Sequence, residues 1–107
     1  MNEPLRVLED QYFLLRQNFE DLFNACQTDD QRDELRRRFA TSRRNYQLSI
    51  NKIFNESDQE VEDLIVRMKD GTDAINSSLQ NLQNLVSVLS VITAAVKVGS
   101  SLAALGA

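Results

Sequence analysis

Few side chains in this 107-residue sequence could carry out nucleophilic or acid–base chemistry. The sequence has no His and a single Cys, Cys26, so it offers no imidazole base, no His-activated nucleophile and no thiolate zinc site. Cys26 has no partner for an internal disulfide, which suits a reducing compartment. Because Cys26 falls in an apolar stripe, we interpret it as a buried small side chain rather than a reactive thiol.

A run of carboxylates is the next candidate for chemistry, and it consists of Glu56, Asp58, Glu60, Glu62 and Asp63. The run lacks the alternating ligands and the turn glycine of a calcium loop. Acidic residues at this place complement the positive amino-terminal end of a helix. We therefore predict that the protein is not an enzyme and that it has no catalytic residues, no metal, no cofactor and no small-molecule substrate.

An arginine cluster is the most distinctive local feature. Two pairs of arginines are each separated by seven residues, so that each pair lies on one side of a helix; they are Arg36 with Arg43 and Arg37 with Arg44. This face could bind an anion such as a nucleic-acid phosphate or an anionic lipid. The i,i+4 spacing of Asp33–Arg37 and Glu34–Arg38 favours a solvated, ion-paired face instead. The chain also carries a net charge of −4, so nucleic acid is not an expected partner.

Apolar residues recur in alternating steps of three and four along the chain, which predicts helices with coiled-coil-like seams. The first stripe runs from Leu5 through Leu8, Leu15 and Leu22 to Cys26, the second from Leu35 to Ile53, and the third from Val61 to Val96. Leu48 and Ile50 widen the second stripe. Capping boxes at Thr28–Gln31 and Ser57–Glu60 mark two helix starts. Together these signals predict helices over about 4–27, 29–55 and 57–98, followed by a tail over 99–107.

These elements predict an all-α fold in a single domain that covers residues 1–107. The favoured arrangement is a helical hairpin packed on a long third helix, as a coiled-coil-like bundle. Gly71, followed by Thr72 and Asp73, could instead end one helix and begin another. The alternative fold is therefore a four-helix bundle with a break at Gly71.

A continuous third helix would expose much apolar surface. It would be roughly 63 Å long, and a hairpin of the first two helices would cover only part of it. Each large apolar side chain left in water would forgo about 1.5–3 kcal/mol of burial. We therefore expect a non-catalytic interaction or oligomerisation module whose partner is a second copy or another helical protein. The predicted contact residues lie along the apolar carboxyl-terminal helix and are Leu79, Leu82, Leu85, Val86, Leu89 and Ile92.

The alternative function is a membrane-active protein whose segment 85–107 inserts into or lies on a lipid bilayer, as a pore-forming or anchoring helix does. Ala95, Gly99, Ala103 and Ala107 place a small residue at every fourth position, which permits close helix approach in lipid but also in an ordinary packing face. Lys97 near the centre of the segment weakens it as a membrane span. The amino terminus lacks the pattern of a secretory signal, so the expected location is cytoplasmic, with membrane association as the alternative.

Overall fold

Four α-helices make up most of residues 2–107, which are the residues that the computed structural model describes. The helices are α1 (Glu3–Ala25), α2 (Asp29–Ser49), α3 (Gln59–Ser78) and α4 (Leu85–Ala103), and a short 3-10 segment, Leu79–Asn84, joins α3 to α4. Around the bundle, α1 packs against α2 and α3, and α4 packs against the same two helices. Over residues 2–107 no contact joins α2 to α3, so these two helices lie diagonally. The prediction of an all-α bundle is confirmed.

The predicted continuous helix over 57–98 is wrong, because the chain reverses direction at Leu79–Asn84. The backbone of Asn81 has φ −135° and ψ 64°, far from helical values. The longest dimension of the molecule is 43 Å, which leaves no room for a straight helix of roughly 63 Å. The reversal lays α4 along α3 and α2 and buries apolar side chains that an extended helix would leave in water.

Gly71 lies inside α3 and is not the site of the break. The alternative with four helices therefore has the right number of helices, but its predicted position for the break is wrong. A Cβ atom at Gly71 would lie 3.1 Å from the Cβ of Ala95, which is closer than ordinary contacts between carbon atoms. The absent side chain of Gly71 thus allows α3 and α4 to approach each other closely.

Capping side chains define the starts of the first two helices. The Oδ1 atom of Asn2 accepts a hydrogen bond from the Leu5 amide at 3.1 Å. The Thr28 hydroxyl accepts from the Gln31 amide at 3.1 Å, and the Gln31 side chain accepts from the Thr28 amide at 3.3 Å. The predicted capping box at α2 is confirmed, and it satisfies two backbone donors that the helix itself leaves unpaired.

Other helix ends differ from the prediction. Asp58 caps α3, with its Oδ1 atom accepting from the Glu60 amide at 2.9 Å, so the predicted cap at Ser57 is wrong. Helix α2 ends at Ser49 rather than near residue 55, and α4 continues to Ala103, into the predicted tail. The longer α4 has a packing reason, because Leu102 and Ala103 are buried in the core.

Helix α4 is the most deeply buried element. Its buried residues are Leu85, Val88, Leu89, Ile92, Ala95, Val96, Gly99, Leu102 and Ala103. Small residues on one side of α4 admit polar neighbours at close range: a Cβ atom at Gly99 would lie 3.0 Å from the Gln11 side-chain oxygen. Gln11 is itself buried and donates a hydrogen bond to the Ala95 carbonyl at 3.0 Å. The small-residue stripe Ala95–Gly99–Ala103 is thus a packing face inside the bundle.

Helix α2 differs from the other helices because its buried side is mostly polar. Leu35 is its single buried apolar residue, and its remaining buried residues are Ser42, Asn45 and Ser49. Asn45 donates a hydrogen bond to the Ser100 hydroxyl of α4 at 3.1 Å. Apolar burial supplies most of the favourable free energy of packing, so we infer that α2 is held less strongly than α4.

The loop after α2 is fastened to the carboxyl terminus. Ile53 and Ala107 exchange two backbone hydrogen bonds, each 2.9 Å long. The Lys52 ammonium donates to the Ala103 carbonyl at 2.7 Å, one of the carbonyl groups that the end of α4 leaves without a helical partner. These bonds position the residues that follow α2 at one end of the bundle.

Candidate interaction surfaces

The predicted contact residues on the apolar carboxyl-terminal helix do not form an accessible surface. Leu85, Leu89 and Ile92 are buried within the chain's own core. Leu79 and Leu82 are partly buried against the same core. Val86 alone is well exposed, at 71%. Five of the six predicted contact residues therefore pack within the chain itself, because the reversal at Leu79–Asn84 lets α1, α2 and α3 cover the apolar side of α4.

The predicted arginine face is largely open on the outside of α2. Arg36, Arg37, Arg43 and Arg44 are all exposed. Arg36 is engaged within the chain: its guanidinium contacts the Asp33 carboxylate at 3.1 Å and lies 4.9 Å from the centre of the Phe23 ring. The other three arginines have no ion-pair partner among residues 2–107. The predicted pairing of Asp33 with Arg37 is wrong, because Asp33 pairs with Arg36. The predicted pairing of Glu34 with Arg38 is confirmed, and Arg38 also donates a hydrogen bond to the Thr93 hydroxyl.

Three exposed aliphatic side chains lie within six residues of one another, at the carboxyl-terminal end of α2 and in the loop that follows it. Leu48, Ile50 and Ile53 are 53%, 47% and 79% exposed, and they are half of the six large apolar side chains that the described residues leave exposed. The sequence pattern does not distinguish them from core residues, because Leu48 and Ile50 widen the apolar stripe of α2 and Ile53 continues its period. The end of α2 at Ser49 removes Ile53 from that stripe and leaves it in solvent.

The arginines and the aliphatic residues form two rows along α2. Arg36, Arg43 and Ile50 follow one another at steps of seven residues, and Arg37, Arg44 and Leu48 at steps of seven and four. Such steps keep each row on one side of a helix. We define the basic–aliphatic patch as the exposed members of both rows that lack an ion-pair partner, together with the exposed aliphatic residue of the following loop. Its residues are Arg37, Arg43, Arg44, Leu48, Ile50 and Ile53.

Aromatic rings line the groove between α1 and α2 beside this patch. Tyr12 stacks on Phe39 with ring centroids 5.6 Å apart and on Tyr46 at 5.7 Å. The Tyr46 hydroxyl donates to the Glu9 carboxylate at 3.0 Å, and this hydrogen bond, together with desolvation, raises the pKa of Tyr46. The rings are partly buried and occupied by one another, so they join α1 to α2 rather than offering free stacking faces.

Neither Cys26 nor the carboxylates of residues 2–107 form a reactive or metal-binding site. Cys26 is buried, and its Sγ atom lies 3.3 Å from the Leu22 carbonyl oxygen. Desolvation raises the pKa of the Cys26 thiol, and it outweighs the opposing effect of Arg32, so the thiolate is disfavoured. Over residues 2–107 no three His, Cys, Asp or Glu side chains are placed to hold a metal ion.

One helical stretch is long and apolar enough to cross a membrane. It lies within Gln59–Ala103, where the most apolar window of 18 residues has a mean hydropathy of 1.8 and is 44% buried inside the protein. A buried core helix of a soluble protein has the same length and composition. Comparisons with protein-family models, with curated proteins and with solved structures found no match to this chain.

Proposed function

We propose that the protein is a non-catalytic helical interaction module that docks through the basic–aliphatic patch. One observation supports this proposal above the rest: on α2 and its following loop, arginines without an ion-pair partner share each row with an exposed aliphatic side chain, Arg44 with Leu48 and Arg43 with Ile50. Leaving a large aliphatic side chain in water forgoes about 1.5–3 kcal/mol. Contact with a partner would recover part of this free energy at Leu48, Ile50 and Ile53 and would neutralise the arginines.

This proposal keeps the class of function expected from the sequence and moves the contact surface from α4 to α2. A second copy, another protein and a membrane surface all belong to this class. The proposal therefore needs a test that does not depend on which partner is present.

Site-specific photo-crosslinking in cells provides such a test. A photoreactive amino acid at Leu48 should give adducts, whereas the same amino acid at Val86, which is more exposed than Leu48 but lies outside the patch, should give few. The triple substitution of Arg37, Arg43 and Arg44 by Gln should remove the adducts at position 48. Equal yields at positions 48 and 86, or no adducts at either, would contradict docking through this patch.

A second candidate function is membrane entry by α4, and two observations favour it. Helix α4 has a single charged residue, Lys97. The most apolar window of 18 residues within Gln59–Ala103, the stretch that ends with α4, is hydrophobic enough for a bilayer. The helix that covers α4 on one side is α2, whose buried residues are mostly polar. Release of α2 would expose the apolar side of α4 at a smaller loss of apolar burial than release of α3.

A reversible lock between α2 and α4 tests this second candidate. Asn45→Cys with Ser100→Cys places two thiols where the wild-type side chains are hydrogen-bonded, and Cys26→Ala leaves that pair as the only thiols. Membrane entry requires release of dye from vesicles by the reduced protein and loss of that release on oxidation. Dye release that is unchanged by oxidation, or absent in both forms, would rule out entry by release of α2.

A further inference from the structure

We propose that the partner of the basic–aliphatic patch is the surface of an anionic lipid bilayer. This inference rests on the proposed docking function and names its partner. The patch combines guanidinium groups, which attract lipid phosphates and carboxylates, with aliphatic side chains, which enter the boundary between head groups and acyl chains.

Charge is distributed so that one side of the molecule is drawn to such a surface. Residues 35–53 contain six Arg or Lys and no Asp or Glu, a net charge of +6, whereas the remaining residues contain six basic and 16 acidic side chains, a net charge of −10. The acidic start of α3 lies on the helix diagonal to α2. An anionic surface would therefore attract the carboxyl-terminal part of α2, because the carboxylates of this helix lie at its other end, before residue 35. This attraction orients the molecule with its patch towards the lipid.

The aliphatic residues favour lipid over nucleic acid. Proteins that bind single strands pair basic grooves with aromatic rings on which bases stack, but the two rings of α2 are already engaged, since Phe39 and Tyr46 each stack on Tyr12 of α1. Leu48, Ile50 and Ile53 would gain little against a phosphate backbone. In a bilayer the same side chains leave water for a hydrocarbon boundary.

Charge also argues against a two-fold dimer that joins the patches of two copies. A two-fold dimer through this patch would bring the same surface of both copies together, and each copy would contribute Arg37, Arg43 and Arg44 without an intervening carboxylate from residues 35–53. Like charges directly opposed in an interface are unfavourable. A flat anionic surface neutralises all three arginines at once.

Vesicle flotation with the full chain tests the proposal. The protein should float with vesicles of phosphatidylcholine and phosphatidylglycerol, should stay behind with vesicles of phosphatidylcholine alone, and should be released by added salt because the attraction is screened. Each Arg near an anionic surface contributes about 1 kcal/mol. The Arg37→Gln, Arg43→Gln, Arg44→Gln variant should therefore bind roughly 100-fold more weakly.

A matched pair of variants separates the aliphatic contribution from charge. Leu48→Ser with Ile53→Ser should weaken flotation at unchanged net charge, whereas Val66→Ser with Val86→Ser, which removes two equally exposed aliphatic side chains outside the patch, should leave it unchanged. Arg16→Gln with Arg67→Gln is the corresponding control for charge. All of these residues are exposed, and a thermal melt of each variant checks that the fold persists.

Several results would overturn the proposal. No flotation with anionic vesicles, flotation that the control pairs weaken as much as the patch variants, or tighter binding to duplex DNA with no dependence on Leu48 and Ile53 would each do so. If flotation fails while the crosslinking adducts at position 48 remain, the docking function stands and the lipid partner is wrong. If both fail, the patch has no docking role.

Discussion

At the scale of single residues, α4 contains two apolar side chains six positions apart with opposite surroundings. Ile92 is fully buried among the core residues of α1, α2 and α3, whereas Val86 is 71% exposed. Both belong to the surface that the sequence predicts for a partner, because periodicity identifies the apolar side of a helix but not what covers it. Ile92 therefore stabilises the chain's own core, whereas the Val86 side chain contacts solvent.

Alanine substitutions distinguish these two roles. We expect Ile92→Ala to lower the free energy of unfolding by about 3–4 kcal/mol, since it removes buried methyl groups and leaves a cavity. Val86→Ala should change it by less than about 0.5 kcal/mol. Urea denaturation followed by circular dichroism measures both. A small effect of Ile92→Ala, together with a change in particle mass, would show that Ile92 contacts a partner instead.

A second residue-scale prediction concerns acid. The Lys69 ammonium lies 2.9 Å from the Glu3 carboxylate and joins α1 to α3, and its hydrogen bond lowers the pKa of Glu3 below the ordinary value of 4.5. A carboxyl whose pKa is lower in the folded state stabilises the fold above its unfolded-state pKa, and this contribution disappears as the pH falls through the folded-state pKa. The Lys69 side chain is exposed and Glu3 is partly exposed, so solvent screens the pair and its contribution at neutral pH is about 0.2–1 kcal/mol.

Glu3→Gln should therefore be slightly less stable than the wild type at pH 7 and should approach it in stability below pH 4.5, the ordinary pKa of the group. Urea titrations of both proteins at several pH values measure the difference. Glu20→Gln, on the exposed side of α1, is a control for the loss of a carboxylate. A difference that persists unchanged in acid would show that Glu3 acts through packing and not through its charge.

At the scale of the elements, the helices could be predicted from local patterns but their ends and the reversal could not. The stripe through Leu8, Leu15 and Leu22 correctly identifies the buried side of α1, and Thr28 with Gln31 correctly marks the start of α2. These signals act within a few residues of one another. The reversal near Asn81 keeps the heptad period of the flanking helices almost unbroken, so periodicity gives no sign of it.

The position of the reversal depends on contacts between distant residues. Gly71 is the stronger helix breaker by local propensity, yet it stays helical because α3 and α4 cross closely at Gly71 and Ala95. Asn and Gln residues occupy 80, 81, 83 and 84, and Asn competes for hydrogen bonds with the helical backbone. The same reasoning explains the missed patch: Ile53 belongs to the stripe of α2 by period but lies beyond the end of the helix.

The polar buried side of α2 leads to a prediction about dynamics. Helix α2 has Leu35 as its single fully buried apolar residue and packs Phe39 and Tyr46 only in part, whereas α4 buries a long apolar stripe. Local opening of α2 therefore breaks fewer apolar contacts. We expect the amides of α2 to exchange hydrogen with solvent faster than those of α4. Hydrogen exchange followed by mass spectrometry compares the two helices within one sample. Equal protection would show that the bundle opens only as a unit and would remove the basis for release of α2 alone.

At the scale of the whole molecule, folding and association compete for the same apolar surface. A straight third helix would need a partner to cover its apolar side, but the reversal brings α4 into the chain's own core, where Leu85, Leu89 and Ile92 are buried. Six large apolar side chains remain exposed, and three of them lie at the carboxyl-terminal end of α2 and in its following loop, where unpaired arginines precede them. Docking is therefore expected to depend on charge as well as on apolar area, and to be weak in the absence of an anionic surface.

The protein should accordingly be a monomer in lipid-free solution. We expect light scattering to give the mass of one chain, 12.2 kDa, across a wide range of concentrations and at low salt, where repulsion between the +6 segments of two copies is strongest. Raising the salt concentration screens that repulsion, so any weak self-association through the patch should appear only there. A stable dimer at low salt that Leu48→Ser with Ile53→Ser dissociates would identify the patch as an interface between copies. A dimer unaffected by these substitutions would place the contact elsewhere, with Val66 and Val86 as the next exposed aliphatic residues to test.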